Sequence, residues 1–156
     1  MIKLENPLVL TFHHVCITAS DYQSAIAFYV NILGLEIYRE SFSENRNAQK
    51  LELYSDGSYV IELFAGGIDT EYDPDRAKDT KTGLDHLSFL TDDVIKTLEY
   101  LRERGVPVTE VKKDRATGRK YGFCWDPDGT KIEFYEREGK RNGRLEKSLF
   151  KAPERK

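Results

Sequence analysis

Apolar and β-branched residues crowd the stretch from Val9 to Ala19 and predict a strand, which stops at Ser20-Asp21, a pair able to cap a helix. From Tyr22 to Leu33, the residues Ala25, Ile26, Phe28, Tyr29, Ile32 and Leu33 fall at helical intervals. Gly34 then stands where a helix C-terminus favours a residue that tolerates positive φ. Leu35 to Ser41 reads as extended. Lys50 to Tyr54 and Tyr59 to Phe64 read as two strands joined by Ser55-Asp56-Gly57-Ser58, whose Asp-Gly step is a hairpin signal. The order over residues 8–66 is therefore β-α-β-β-β.

The same order returns from Leu84. A strand through Leu90 leads to a cap at Thr91-Asp92-Asp93. A helical pattern at Val94, Ile95, Leu98, Tyr100 and Leu101 follows, stopped by Gly105 and Pro107. Strands are expected around Val106 to Val111, Lys120 to Trp125 and Thr130 to Tyr135, which closes a second module over residues 83–137. Gly66 to Thr82 is polar and acidic and reads as a surface linker over 67–82. Residues 138–156 read as a basic, solvated tail: after Glu136 there are eight basic residues against three acidic ones, interrupted by Gly139, Gly143 and Pro153.

Polar residues recur at matching places in both modules. His14 precedes Glu62 by 48 residues and His86 precedes Glu133 by 47. Asp21 and Asp93 each lie seven residues after their histidine. Identity between the halves is low, but shared offsets of this kind mark an internal duplication.

Strand alternation assigns the four residues to one face. His14 is followed by Val15 and Ile17 on the other face, His86 by Leu87 and Phe89. Glu62 lies between Ile61 and Leu63, and Glu133 between Ile132 and Phe134. With the large apolar residues packed under the helices, the four polar ones project from the opposite, concave side. A glutamate within an apolar strand is costly to bury alone, and a cation offsets that cost. The pattern points to a metal held by His14, Glu62, His86 and Glu133. His13 falls on the side of Val15 and Ile17 and reads as structural. Cys16 shares the His14 face, from which it could approach the metal, but it reads first as a small core residue.

Composition narrows the class. The 156 residues are 39% hydrophobic and 33% charged, with a net charge of −3, which fits a soluble domain with no general attraction to nucleic acid. No apolar run approaches the roughly 20 residues that span a bilayer, and no secretory signal pattern is visible, so a cytoplasmic protein with no membrane partner is expected. Cys16 and Cys124 are the only cysteines and form no C-x-x-C pair, leaving nitrogen and oxygen as the donors for any metal.

The stretches His14-Val15-Cys16-Ile17, Leu33-Gly34-Leu35, Val60-Ile61-Glu62-Leu63, Asp85-His86-Leu87-Ser88-Phe89 and Asp126-Pro127-Asp128-Gly129 to Ile132-Glu133 resemble the vicinal oxygen chelate (glyoxalase I/bleomycin resistance/dioxygenase) superfamily. Within it the chain is most like the bacterial YaeR-type glyoxalase I-like proteins. The resemblance implies an α+β fold in which two βαβββ modules form curved mixed sheets with a concave metal-binding face, and it implies a homodimer. Its ligand set would be His14, Glu62, His86 and Glu133, around one divalent ion per site: Ni, Co or Zn foremost, with Mn or Fe as further options. The implied activity is that of a lactoylglutathione lyase-like isomerase acting on a small molecule, an α-hydroxycarbonyl compound or hemithioacetal. Proton transfer would pass through a metal-bound enediolate, with Glu133 and its counterpart Glu62 as the catalytic carboxylates. The Arg and Asn that usually grip glutathione four residues after the first two ligands are Thr18 and Gly66 here, so the thiol cofactor is left open. Two other readings stay open: an Fe(II)-dependent ring-cleaving dioxygenase, and a non-catalytic small-molecule-binding protein. Arg39, Arg46, Arg115 and Arg119 are available to an anionic substrate, with none assigned.

Overall fold

The computed structural model describes residues 11–66 and 83–138, and both expected modules contribute a four-stranded sheet. The N-terminal start of the first strand, the 67–82 linker and the basic tail from residue 139 lie outside the described residues. In the first module, strands β1 (Val15–Ala19), β2 (Glu36–Ser43), β3 (Ala48–Ser55) and β4 (Ser58–Ala65) lie in the order β1-β4-β3-β2. In the second, β5 (Leu87–Thr91), β6 (Lys112–Lys113), β7 (Lys120–Trp125) and β8 (Lys131–Glu136) repeat it as β5-β8-β7-β6. The helical crossover makes β1 parallel to β4, and β5 parallel to β8, while the hairpin-linked strands run antiparallel. The fold is α+β with two mixed sheets, as the sequence pattern and the resemblance led us to expect.

Register repeats with the topology. Val15 pairs with Ile61 and Cys16 with Glu62 in the first sheet; Leu87 pairs with Ile132 and Ser88 with Glu133 in the second. Ile17, Leu51, Leu53, Ile61 and Leu63 are buried on one face of the first sheet, and Ile132 and Cys124 on the matching face of the second. Alternation leaves Glu62 and Glu133 on the other face, as their neighbours predict.

Both helices start where the sequence places them. Asp21 Oδ2 accepts from Ser24 N at 2.7 Å and Asp93 Oδ1 from Lys96 N at 3.0 Å, so each caps its helix. The second helix, α2 (Val94–Glu103), buries Val94, Leu98 and Leu101, whereas Ile95 and Tyr100 of the expected apolar stripe are exposed. The first helix departs from α geometry: α1 (Tyr22–Ala25) continues as a π-helix over Ile26–Ile32, with Leu33 N donating to Phe28 O at 2.9 Å. The wider winding lets consecutive residues share the core, and Phe28 and Tyr29 are both buried with rings edge to face at 4.9 Å. The apolar run is too dense for its spacing to distinguish the two windings.

The strand expected over Val106 to Val111 is reduced to a bridge between Val108 and Cys124, and pairing resumes only at Lys112–Lys113. Pro107 has no N–H to donate, and Thr109 Oγ1 takes the N–H of Phe123 in place of a backbone carbonyl. The Asp56-Gly57 turn is as expected, with φ of 50° and 76°.

The two modules share one apolar core, and its seam lies on the helix side. Tyr29 Oη donates to Asp126 Oδ2 at 2.6 Å, Ser20 N donates to Asp128 Oδ2 at 2.9 Å, and Ser20 Oγ donates to the other oxygen of Asp128. Asp126 and Asp128 are buried, but Asp126 Oδ1 also accepts from the N–H groups of Asp128 and Thr130, so the turn between β7 and β8 satisfies its own acid.

Candidate metal site

The structure brings the four candidate ligands together as two pairs. His14 Nε2 lies 4.0 Å from Glu62 Oε1, and His86 Nε2 lies 3.4 Å from Glu133 Oε2. Both histidines stand immediately before a strand rather than within it, yet each reaches over the sheet to the glutamate of the neighbouring parallel strand. All four side chains are partly exposed, between 14% and 31%. The two pairs do not meet within one chain: among the described residues no three His, Cys, Asp or Glu side chains stand where they could hold a single ion.

Each pair has the form of half a metal site. Two donors about 2.1 Å from an ion and separated by a right or tetrahedral angle are roughly 3.0–3.4 Å apart, so the His86–Glu133 pair is already at chelating distance. The His14–Glu62 pair is slightly wider. His86 Nδ1 is hydrogen-bonded to Asp85 Oδ2 at 2.6 Å, an arrangement in which the imidazole donates from Nδ1 and presents a lone pair at Nε2. His14 Nδ1 is likewise engaged, by His13 Nδ1 at 2.6 Å, and its Nε2 also faces its glutamate. Imidazole nitrogen with carboxylate oxygen suits a borderline divalent ion. The donor types fit such an ion, as two separate pairs rather than one assembled set.

His13 does not share the inward side of Ile17 to which alternation assigned it. Residues 11–14 precede β1, so the strand rule does not reach them, and the exposed His13 ring packs edge-on to Tyr59 at 5.1 Å. Cys16 is exposed rather than a core residue, because its strand position faces Glu62 across the sheet. Burial, then the charge of Glu62, push its thiol pKa up, while Arg46 and Lys50 oppose the shift.

Other side chains complete the two halves. Ser88 Oγ donates to Glu133 Oε2 at 2.7 Å from the position that Cys16 occupies in the first module. Lys50 Nζ lies 2.7 Å from Glu62 Oε2, and its hydrogen bond holds the Glu62 carboxyl below the ordinary value. Asp85 is likewise lowered, first by His86. Rings line both faces: His14 lies 4.7 Å from Tyr59, which stacks on Tyr54 at 5.5 Å, and His86 lies 5.4 Å from Phe123. Burial and then Glu62 raise Tyr59 to about 12. Lys50 and Ser88 were legible in principle, since Lys50 alternates with the apolar Leu51 and Leu53, and Ser88 lies two residues beyond His86 on the same face.

Two mixed sheets of repeated β-α-β-β-β order, each with a His–Glu pair on the face opposite its buried apolar side chains, define a paired-βαβββ protein of the glyoxalase type. The chain belongs to the Glyoxalase/Bleomycin resistance protein/Dioxygenase superfamily, whose family model matches residues 11–134. It is 37% identical over 129 residues to the uncharacterized protein YwkD of Bacillus subtilis, covering 83% of this chain and 98% of that one. It is 36% identical over 125 residues to the uncharacterized protein YaeR of Escherichia coli, covering 80% and 94%. A lactoylglutathione lyase of Haemophilus influenzae is 29% identical over 135 residues, covering 83% and 95%. Among solved structures, a glyoxalase family protein from Enterococcus faecalis superposes with a TM-score of 0.69 at 32% identity, covering 81% of this chain and 97% of that one.

Proposed function

We propose that this protein is a metal-dependent glyoxalase I-like isomerase, with His14 and Glu62 of one copy and His86 and Glu133 of a second copy as the ligands of one divalent ion. The observation that carries the reading is the duplicated pair, each with histidine Nε2 turned to a carboxylate and Nδ1 tied back. Since the pairs are separate within a chain, a homodimer with facing concave sheets is the arrangement that completes a four-ligand set. The exposed Ile37, Tyr38 and Phe42 on edge strand β2 give a second copy apolar surface to cover.

When bound, the ion would act as a Lewis acid toward two adjacent oxygens of the substrate. The protein's own part is proton transfer. Glu133, oriented by Ser88, takes the proton from the carbon next to the carbonyl and returns it to the neighbouring carbon; for a hemithioacetal the product is a 2-hydroxy thioester with the same atoms. Glu62, held by Lys50, keeps the opposite side of the site and its own ligand place. The relationship to a lactoylglutathione lyase supports the reaction class, while Thr18 and Gly66 stand where glutathione-binding residues are expected.

The test is elemental analysis of purified protein followed by turnover of methylglyoxal with several thiols, in the wild type and in Glu133→Gln. Stoichiometric metal and an isomerase activity lost in Glu133→Gln are the expected results. Metal-free protein that cannot be loaded, or unchanged turnover in Glu133→Gln, overturns the reading.

A further inference from the structure

We infer that the substrate is an anion, and that Lys50 and Arg46 form a cationic subsite on the Glu62 face of the first sheet for its carboxylate or phosphate group. The inference rests on the proposed function for the location of the reacting oxygens.

The two cations are delivered by adjoining pieces of chain. Arg46 ends a short 3-10 turn (Glu44–Arg46), and Asn47, in the left-handed conformation with φ of 48°, reverses the chain into β3, where Lys50 follows. In the sheet Lys50 pairs with Phe64 of β4, one alternate position beyond Glu62. The Arg46 guanidinium lies 4.2 Å from the centre of the Phe64 ring and the Lys50 ammonium 5.8 Å from it. Phe64 is buried at 7% exposure, so the two charges flank one apolar floor beside the ligand Glu62. A guanidinium over a ring keeps its in-plane N–H donors free for an incoming oxyanion.

Charge accounting gives the sign of the ligand. Arg39 and Glu52 pair at 3.7 Å, and Lys131 and Asp85 approach to 3.4 Å, so each of these cations has a carboxylate. In the proposed loaded site a divalent charge is matched by Glu62 and Glu133. That leaves Arg46 without a carboxylate and Lys50 with only Glu62, whose charge it would share with the ion. Lys50 holds Glu62 with one donor and has two more N–H groups, while no carboxylate of the described residues lies within ion-pair distance of Arg46. The exposed Arg46 and the partly exposed Lys50 over an apolar surface, close to a chelated pair of substrate oxygens, select a substrate with negative charge adjacent to those oxygens.

Three chelators with the same vicinal oxygen pair separate the subsite from the metal site: acetohydroxamate, which is neutral at its far end, malonomonohydroxamate, which carries a carboxylate, and phosphonoacetohydroxamate, which carries a phosphonate. Calorimetry on nickel-loaded full-length protein should show an anionic probe binding about tenfold or more tighter than acetohydroxamate at low salt. The advantage should collapse toward onefold in Arg46→Met and Lys50→Met, and acetohydroxamate should bind Arg46→Met as it binds wild type. The stronger of the two anionic probes distinguishes a carboxylate from a phosphate substrate. Equal affinity of all three probes for wild type overturns the inference and leaves the metal reading standing. If acetohydroxamate fails to bind, the proposed function falls, and titration of inorganic phosphate and malonate into metal-free protein decides the subsite. Binding lost in Arg46→Met upholds it, and no binding to wild type overturns it.

Discussion

Tyr29, on the π-helical turn of the first module, donates its hydroxyl to Asp126, 97 residues away in the β7–β8 turn of the second. Both residues are buried, and burial followed by the charge of Asp126 holds the phenol well above its ordinary pKa, so the bond keeps its proton. Tyr29→Phe leaves Asp126 with its two backbone donors and removes the third. The expected cost is about 1–3 kcal/mol, read as a fall of several degrees in thermal midpoint. An unchanged midpoint would show that the seam does not depend on this bond.

A second packing prediction concerns Gly122 of β7, where α2 lies against the sheet. A Cβ there would come within 2.5 Å of Leu98 Cδ1, and Leu98 is almost fully buried. Gly122→Ala should therefore lower stability by about 1–3 kcal/mol in denaturant melts. Leu98→Ala in the same chain would relieve the clash, and a double variant no better packed than the sum of the singles would argue against this contact.

The proposed trans assembly of a metal site makes a prediction that a site within one chain does not. His14→Ala abolishes the first pair and Glu133→Gln the proposed proton-transfer residue of the second, so each variant alone should be inactive. Co-produced in equal amounts, half the dimers are mixed and each mixed dimer holds one intact site, restoring about a quarter of wild-type activity. No recovery in verified mixed dimers would place both pairs of a site in the same chain.

Ser88 should act through Glu133. Ser88→Ala removes the donor at 2.7 Å, and kcat is expected to fall about three- to tenfold with little change in bound metal. A displaced pH–rate profile in the variant would distinguish a positioning role from general loosening, and kinetics identical to wild type at all pH values would dismiss the role.

The loop after β6 should contribute a pH-dependent increment of stability. Asp114 Oδ2 accepts from Tyr135 Oη at 2.7 Å and Oδ1 from Ala116 N at 2.7 Å, and these bonds, the tyrosine's first, hold its carboxyl below the ordinary 3.8. A depressed native pKa means that the unfolded chain binds more protons, so the contribution is complete above about 3.8 and disappears as pH falls through the native value. Tyr135→Phe should therefore destabilise the protein at neutral pH by more than it does near about pH 3, a difference visible in paired thermal melts.

The apolar pattern determined the module order, the capping aspartates, the hairpin turn and the face on which Glu62 and Glu133 stand, because alternation and helix capping are local rules that need only neighbours in sequence. The same rules failed where local geometry changed character. His13 lies outside the strand whose alternation was applied to it, Pro107 interrupts a ladder, and the dense apolar run from Ala25 to Leu33 fits a π as well as an α winding. Lys50 and Ser88 show a different limit: their types and faces are written in the sequence, but contact with a particular glutamate depends on strand register. Tertiary structure alone decided that the His–Glu pairs remain apart within the chain. The modules meet through Tyr29, Asp126 and the buried core on the helix side, and no periodicity records which face of one module packs against which face of the other.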